Sequence, residues 1–489
     1  MYPSMEKYRE LSGKYRRVVI YREIAGDLVT PISLIRNFSD RECLFLLESA
    51  DLDKSFSRFT FFGFNPSRII SYRGGRVLIK DSSGTSVVDA NPVDVLMELL
   101  EDESSNREPE FGNFAGGYVG FMGYDMANHM GILRSRVRED EENTTMLFME
   151  TDEFYVFDNF MGKTYAAVSM VCAGDPEEEY ARAERRTFEM AFEITDVNEA
   201  NPASSGISEK FQDFEKEHYM EAVGRLKELI TSGECIQVVL SNKYEIRGAV
   251  NPMNLYRLMR NINPSPYMFY IKNGSEVLCG TSPEVHLRIE GRKATLKPIA
   301  GTYRLDGTDP ELIKKNLLSD EKERAEHLML LDLARNDLYT GCRSDSVRVI
   351  SSFEPEVYSH LVHIVSEVSG ELRDGVMPLK LFCNTFPAGT VSGAPKVRAM
   401  ELIDEHEVSP RGFYSGCAGY FSYSGDVDTC IIIRSAMVKK DSVVFRAGAG
   451  IVYDSVPEKE FLEVENKLGA AFDSLRKMSV LEEKNVFAN

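Results

Sequence analysis

No tryptophan occurs among the 489 residues, and only 7 are histidine. The cysteines (Cys43, Cys172, Cys235, Cys279, Cys342, Cys383, Cys417 and Cys430) form no C-x-x-C pair, which excludes the common zinc and dithiol motifs. Scattered thiols fit a reducing compartment, and the cytoplasm is the expected location. No run approaches the roughly 18 apolar residues of a membrane helix, and the opening MYPSMEKYRELSGKYRR is too polar for a secretory signal. Basic residues are in the minority, 57 against 77 acidic, for a net charge of −20. Nucleic acid, which needs a basic surface, is therefore excluded as the main partner. What remains is an ordinary soluble composition, 43% hydrophobic and 27% charged. At this length it suits two to four domains or one large two-part fold.

Residues 196–209, DVNEANPASSGISE, are polar, aperiodic and rich in turn formers, and read as a linker. They divide an N-terminal part, 1–195, from a C-terminal part, 210–478, with 479–489 as a tail. In the first part, 44–47, 57–63, 68–72 and 76–80 are strand-like and 92–100 is helical. The stretch 114–124, FAGGYVGFMGY, suggests a strand whose backbone is closely approached. In the second part, Met220, Val223, Leu226 and Ile230 form a helical stripe ending near Gly233. A strand is predicted over 235–244. Further strands are predicted over 276–280, 294–298, 417–423, 429–437 and 443–449. Helices are predicted over 310–318, 320–335, 378–384, 394–405 and 458–476. Strands and helices come in blocks, so the expected class is α+β.

Two acidic pairs carry the first chemical signal. Glu323 and Glu326 lie in DEKERAEHLMLLDLARND, and Glu460 and Glu463 in VPEKEFLEVENK. Each pair is spaced i, i+3, so on a helix its carboxylates share a face. Hard oxygen donors of this kind suit Mg²⁺, alongside oxygens supplied by a substrate. Other segments are less specific. TFPAGTVSGAPK, 385–396, could cradle an anion but is not a P-loop, because Pro395 precedes Lys396. AGAGIV, 447–452, lacks the third glycine of a dinucleotide fingerprint. His360 and His363 have a metal-like spacing without the accompanying ligands of a zinc site. Arg434, a charge within DTCIIIRSAM, needs a carboxylate or a bound anion as partner.

Six segments stand in a fixed order: PIAGT, ERAEHLMLLDLARNDL, HIVSEVSGEL, GTVSGAPKVRAMELI, GYFSYSGDVDTCIIIRSA and AGAGIVYDSVPEKEF. In that order, and with LLES and GGYVGFMGYD before them, the chain resembles the chorismate-utilising enzymes, and among them the anthranilate synthase large subunits. The resemblance implies a large two-part α+β fold, with antiparallel sheets forming a sandwich-like core and helices outside. It also implies conversion of chorismate and ammonia to anthranilate and pyruvate, the committed step toward tryptophan. A chain made when tryptophan is scarce would gain from containing none.

The resemblance distributes roles. Glu326 and Glu463 match Mg²⁺ ligands, with Glu323 and Glu460 beside them. Glu284 matches the acid that protonates the departing ring hydroxyl, and His363 a histidine beside the ring. Tyr414 and Arg434 match residues that grip the enolpyruvyl carboxylate. Ala300, Gly301, Thr302, Thr390, Gly448, Gly450 and Lys467 line the same pocket. Water-using relatives carry an activating lysine where Gln237 stands, and aminodeoxychorismate synthases carry a ring-attacking lysine where Ala300 stands. Both absences point to ammonia as the nucleophile. A non-catalytic chorismate- or tryptophan-binding relative is the alternative from another class. Tyr303 departs from the arginine usual after PIAGT.

A tryptophan feedback site is also implied, between the two parts. Leu47, Glu48 and Ser49 match one wall, Pro266, Tyr267 and Met268 within NPSPYM the other, and Tyr420 a further contact. No glutaminase nucleophile elbow is evident. A separate glutamine amidotransferase small subunit is expected to supply the ammonia, in the heterotetramer usual for such enzymes.

Overall fold

The computed structural model describes residues 1–25, 29–50, 58–108, 112–194, 209–304, 309–358 and 361–483. The expected linker, apart from Glu209, and His360 lie outside these residues, as do the side chains of Thr302 and Arg304.

Two 12-stranded antiparallel sheets form the frame. In the first, the path runs Arg17–Ile24, Lys163–Val171, Glu153–Asp158, Phe59–Phe64, Cys43–Glu48, Tyr267–Asn273, Glu276–Ser282, Ser435–Val438, Ser442–Ile451, Gln237–Arg247 and Glu209–Gln212, with Gly393–Ala394 paired to Gln237–Arg247. In the second it runs Ile299–Arg304, Leu361–Glu371, Lys293–Leu296, Val285–Glu290, Val427–Ile431, Cys417–Ser422, Gly117–Met122, Thr144–Thr151, Arg68–Arg73, Arg76–Asp81 and Gly84–Val88, with Arg348–Tyr358 paired to Leu361–Glu371. Both sheets draw strands from both parts of the chain. The seams are Cys43–Glu48 against Tyr267–Asn273 and Gly117–Met122 against Cys417–Ser422.

The sheets face each other across a core that includes Phe45, Phe61, Phe269 and Leu278 from the first and Val119, Phe121, Met149 and Tyr420 from the second. Outside the first sheet, helices such as Lys216–Thr231, Pro252–Ile262 and Pro457–Glu483 cover a second core. Outside the second sheet, Pro92–Glu101, Glu321–Tyr339 and Pro378–Thr385 cover a third. Both faces of many strands are thus buried, which explains near-continuous apolar runs such as CLFLLE. There Leu44 and Leu46 enter one core, and Cys43 and Phe45 the other. Gly120 fulfils the expected close approach, since a Cβ there would stand 1.8 Å from the carbonyl oxygen of Leu147.

Among the boundaries that differ from the sequence expectation, three change the reading of an element. The single strand expected over 429–437 is two, Val427–Ile431 and Ser435–Val438, in different sheets. The chain turns between them at Arg434, whose φ of 51° lies in the left-handed region. An apolar run does not reveal such a turn, because burial continues through it. Ala394 does not open a helix but pairs with Gln237, and the helix starts at Lys396. The last helix runs on to Glu483, into the stretch expected as a tail. All eight cysteines are unpaired. Among the described residues no helix is long and apolar enough to cross a membrane.

Candidate active site and a second cavity

Two neighbouring strand pairs pass together from the first sheet to the second. Glu276–Ser282 gives way to Val285–Glu290, and its antiparallel neighbours Ser435–Val438 and Val427–Ile431 make the reverse passage. Glu284 sits in the first crossing and Arg434 in the second. The backbone is closed by Ile431 N–H donating to Glu284 O at 3.0 Å and Thr281 N–H to Arg434 O at 3.1 Å. The Arg434 guanidinium also donates to Asn263 Oδ1 at 3.4 Å.

Glu284 is buried, and burial pushes its acid up to about 7, against the opposing pull of the Thr390 hydroxyl, Arg434 and Lys467. Thr390 stands in a short helical turn, Gly389–Ser392. His363, on Leu361–Glu371, is equally buried, and burial lowers its ring to about 4, with Arg434 and Lys467 pressing the same way. Its Nδ1 lies 2.8 Å from Gly301 O. A carbonyl only accepts, so Nδ1 carries the proton and Nε2 is the basic nitrogen of the neutral ring. Gly301 has φ +68° at a break in register between Ala300 and Tyr303, and a Cβ on it would lie 2.9 Å from Glu323 Oε2. Tyr303 donates to Asp320 Oδ2 at 3.1 Å.

The acidic pairs lie on Glu321–Tyr339 and Pro457–Glu483, the helices expected to carry them. Gln237 Nε2 donates to Glu326 Oε1 at 3.1 Å. Gln237 is buried, and its Oε1 has no partner among the described residues. Gly450 makes room for this pair, since a Cβ there would meet Gln237 Nε2 at 2.5 Å. Two residues back on the same strand face, Gly448 O accepts from Lys467 Nζ at 2.8 Å, and Lys467 also pairs with Glu463 Oε1 at 2.7 Å. Tyr414 is buried with its hydroxyl toward Gly448. Glu460 is buried and, with Glu463, acts electrostatically on Tyr219.

Among the described residues no three His, Cys, Asp or Glu side chains enclose an ion by themselves. The donors are nevertheless of the right kind for Mg²⁺, which is bound through one or two carboxylates with substrate and water completing its shell. Lys396, in the glycine-rich stretch, is bound by Asp337 at 3.0 Å and by Thr385 O, so it serves the fold rather than an anion.

A separate cavity of about 380 Å³ lies between the sheets. It is lined by Leu47, Glu48, Ser49, Pro266, Tyr267, Met268 and Tyr420, the residues expected for an effector, and contains neither Glu284 nor His363. Ser49 Oγ has no partner among the described residues. The Glu48 carboxylate is turned to Tyr256, whose hydroxyl donates at 2.7 Å, and to Arg260 at 3.0 Å. Glu48 therefore anchors the strand end. Sequence reasoning missed Arg58, Phe59, Phe61, Arg288 and Asp428, which also line the cavity. The signal was present for Arg288 and Asp428, charges inside apolar strands, as for Arg434.

The signature of chorismate binding enzymes matches residues 44–473. Anthranilate synthase component 1 of Acetivibrio thermocellus is 37% identical over 485 residues, 97% of this chain and 98% of that one. The protein of the same name from Aquifex aeolicus is 37% identical over 483 residues, 96% of this chain and 97% of its own. The crystal structure of anthranilate synthase component I from Streptococcus pneumoniae superposes with a TM-score of 0.75 at 31% identity, over 92% of this chain and 99% of that one. The isochorismate synthase MenF of Escherichia coli shares the fold, with a TM-score of 0.70 at 18% identity over 96% of this chain and 99% of its own. With a family signature across most of its length and full-length relatives of one name, this chain belongs to the chorismate-binding enzymes, in the branch of anthranilate synthase component 1.

Proposed function

We propose that the chain is the large subunit of an anthranilate synthase, a lyase that turns chorismate and ammonia into anthranilate and pyruvate. The observation that carries this reading is the buried, readily protonated Glu284 facing the cationic Arg434 and Lys467 and the neutral His363. Arg434, with its guanidinium fork, and Tyr414 hold the enolpyruvyl carboxylate. Glu284 gives its proton to the ring hydroxyl as the C–O bond breaks and ammonia bonds to ring carbon 2, so the hydroxyl leaves as water. The neutral His363 suits removal of the proton on the aminated carbon. The C–O bond to the enolpyruvyl group then breaks; the enolate that leaves takes a proton at its methylene carbon and becomes pyruvate, and the ring is left aromatic.

Gln237 supports ammonia over water. An amide cannot act as the base that water needs, whereas its open Oε1 can accept an N–H and leave the nitrogen lone pair for attack. Ala300 offers no amine, which disfavours the aminodeoxychorismate reaction. Glu326 and Glu463 would hold Mg²⁺, with Glu323 and Glu460 beside them, and the ion would neutralise the ring carboxylate when bound. Ammonia comes from a glutamine amidotransferase partner. The cavity between the sheets takes L-tryptophan as feedback inhibitor: aromatic walls from Phe59, Phe61 and Tyr420, with Arg58, Arg288 and Asp428 of both signs, suit an aromatic zwitterion.

The test is a fluorescence assay for anthranilate with chorismate, Mg²⁺ and ammonium, with and without tryptophan. Product formation suppressed by tryptophan is expected. Chorismate consumed without anthranilate would move the chain to a sister reaction, and no consumption would make it a binding protein or a chain inactive without its glutaminase subunit.

A further inference from the structure

Arg411 lies outside the residues assigned to the reaction, yet it donates to groups within two residues of three of them. Its side chain is 1% exposed. Nη1 donates to Val391 O at 2.7 Å, beside Thr390, and to Ser415 Oγ at 3.3 Å, beside Tyr414. Nη2 donates to Val239 O at 2.6 Å, two residues along the strand from Gln237. Nε and Nη2 also bind Glu407, at 3.1 and 2.7 Å. The guanidinium carbon lies 4.7 Å from the ring centre of Tyr124, in the N-terminal part, and 5.7 Å from that of Tyr414. The turn it starts is tied to the same part by Tyr124 N–H donating to Gly412 O at 2.8 Å, and by Gly412 N–H donating to Asp125.

We propose that Arg411 is a positioning residue that clamps the Gln237 strand, the Thr390 turn and Tyr414 into one register. Glu407 balances the buried charge; although burial opposes it, Arg411 and Arg446 keep its carboxyl below the ordinary value. Stability alone does not account for such a network, since buried ion pairs are often replaceable by apolar groups without loss. What a planar five-donor fork supplies, and an apolar group or a lysine does not, is simultaneous fixed geometry toward several backbone carbonyls.

The proposal rests on the function proposed above, and Arg411→Lys tests it. Lysine keeps the charge opposite Glu407 but cannot span Val391 O and Val239 O together. In the full chain with chorismate, Mg²⁺ and ammonium, kcat is expected to fall about 10- to 100-fold. The KM for chorismate is expected to rise with it, because Tyr414 is displaced too. Amide hydrogen exchange over 389–393 and 237–241 should quicken, while that of 267–273 stays as in wild type. A purely structural role predicts a smaller active fraction with unchanged KM, and that result overturns the proposal, as does unaltered exchange over 389–393. If Arg411→Lys does not fold, Tyr124→Leu removes the ring beneath the guanidinium and none of its hydrogen bonds. A rise in KM of about 3-fold then supports the clamp, and a wild-type KM overturns it. Wild type is run in parallel. If it fails to turn over chorismate, the functional reading falls by itself, and the exchange comparison still decides the clamp.

Discussion

Glu284 and Arg434 occupy adjacent crossings between the two sheets, each anchored by a backbone hydrogen bond from the neighbouring strand. A crossing is where a strand pair leaves one pleated surface before joining the next, so side chains there can point along the gap between sheets. One such place holds an acid and the next a cation.

The first prediction concerns pH. Glu284 must be protonated to act as the acid, so kcat should fall as pH rises through about 7. His363 must be neutral to accept a proton, so kcat should also fall as pH drops through about 4. The measurement is a kcat profile at a fixed concentration of unprotonated ammonia. Glu284→Gln should remove the upper limb and most of the rate, and an upper limb that survives would assign it to another group.

Glu326→Gln tests the metal reading. The amide keeps the volume and the contact with Gln237 but loses the anionic donor. Turnover at Mg²⁺ levels that saturate wild type is expected to drop about 100-fold or more. Normal rates at limiting Mg²⁺ would sink the assignment.

Gly450→Ala places a methyl against the Gln237 amide. Gln237 must then turn away from Glu326. The expected result is a loss of about 10-fold or more in kcat for amination, since misplacing a contact by an ångström suffices for that. A wild-type rate would show that the pair is not needed for the chemistry.

Ser49→Phe fills the cavity between the sheets. Catalysis with ammonium should continue while tryptophan inhibition is lost, read as a flat inhibition curve. Unchanged inhibition would move the effector site elsewhere.

Much of the site is legible in the sequence where its chemistry sits in short contiguous stretches. The acidic pairs fall on the predicted helices, and Gln237 and Gly448 on predicted strands, with Gly450 one residue past the predicted end of the strand that carries it. The walls from Leu47 to Ser49 and from Pro266 to Met268 meet because their strands pair directly, Glu48 opposite Met268. What stays hidden depends on long-range geometry. The crossing at Arg434 is concealed by an apolar run that stays buried on both sides of the turn. Arg411 reads locally as one more charged loop residue, and its importance lies in carbonyls of Val239 and Val391, which carry no side-chain signature.

The two seams carry a further consequence. Cys43–Glu48 and Gly117–Met122 are interior strands bonded on both edges, with one neighbour from each part of the chain. Cutting the molecule at residue 209 and keeping only the C-terminal part would bare the ladders of Tyr267–Asn273 and Cys417–Ser422 together, two raw edges prepared to pair with any strand at hand. A shortened version holding all of the acids and Arg434 would therefore tend to aggregate instead of working without restraint. The part that supplies one wall of the cavity between the sheets is thus also the part that covers the raw edges of the other, and neither can be discarded without the other.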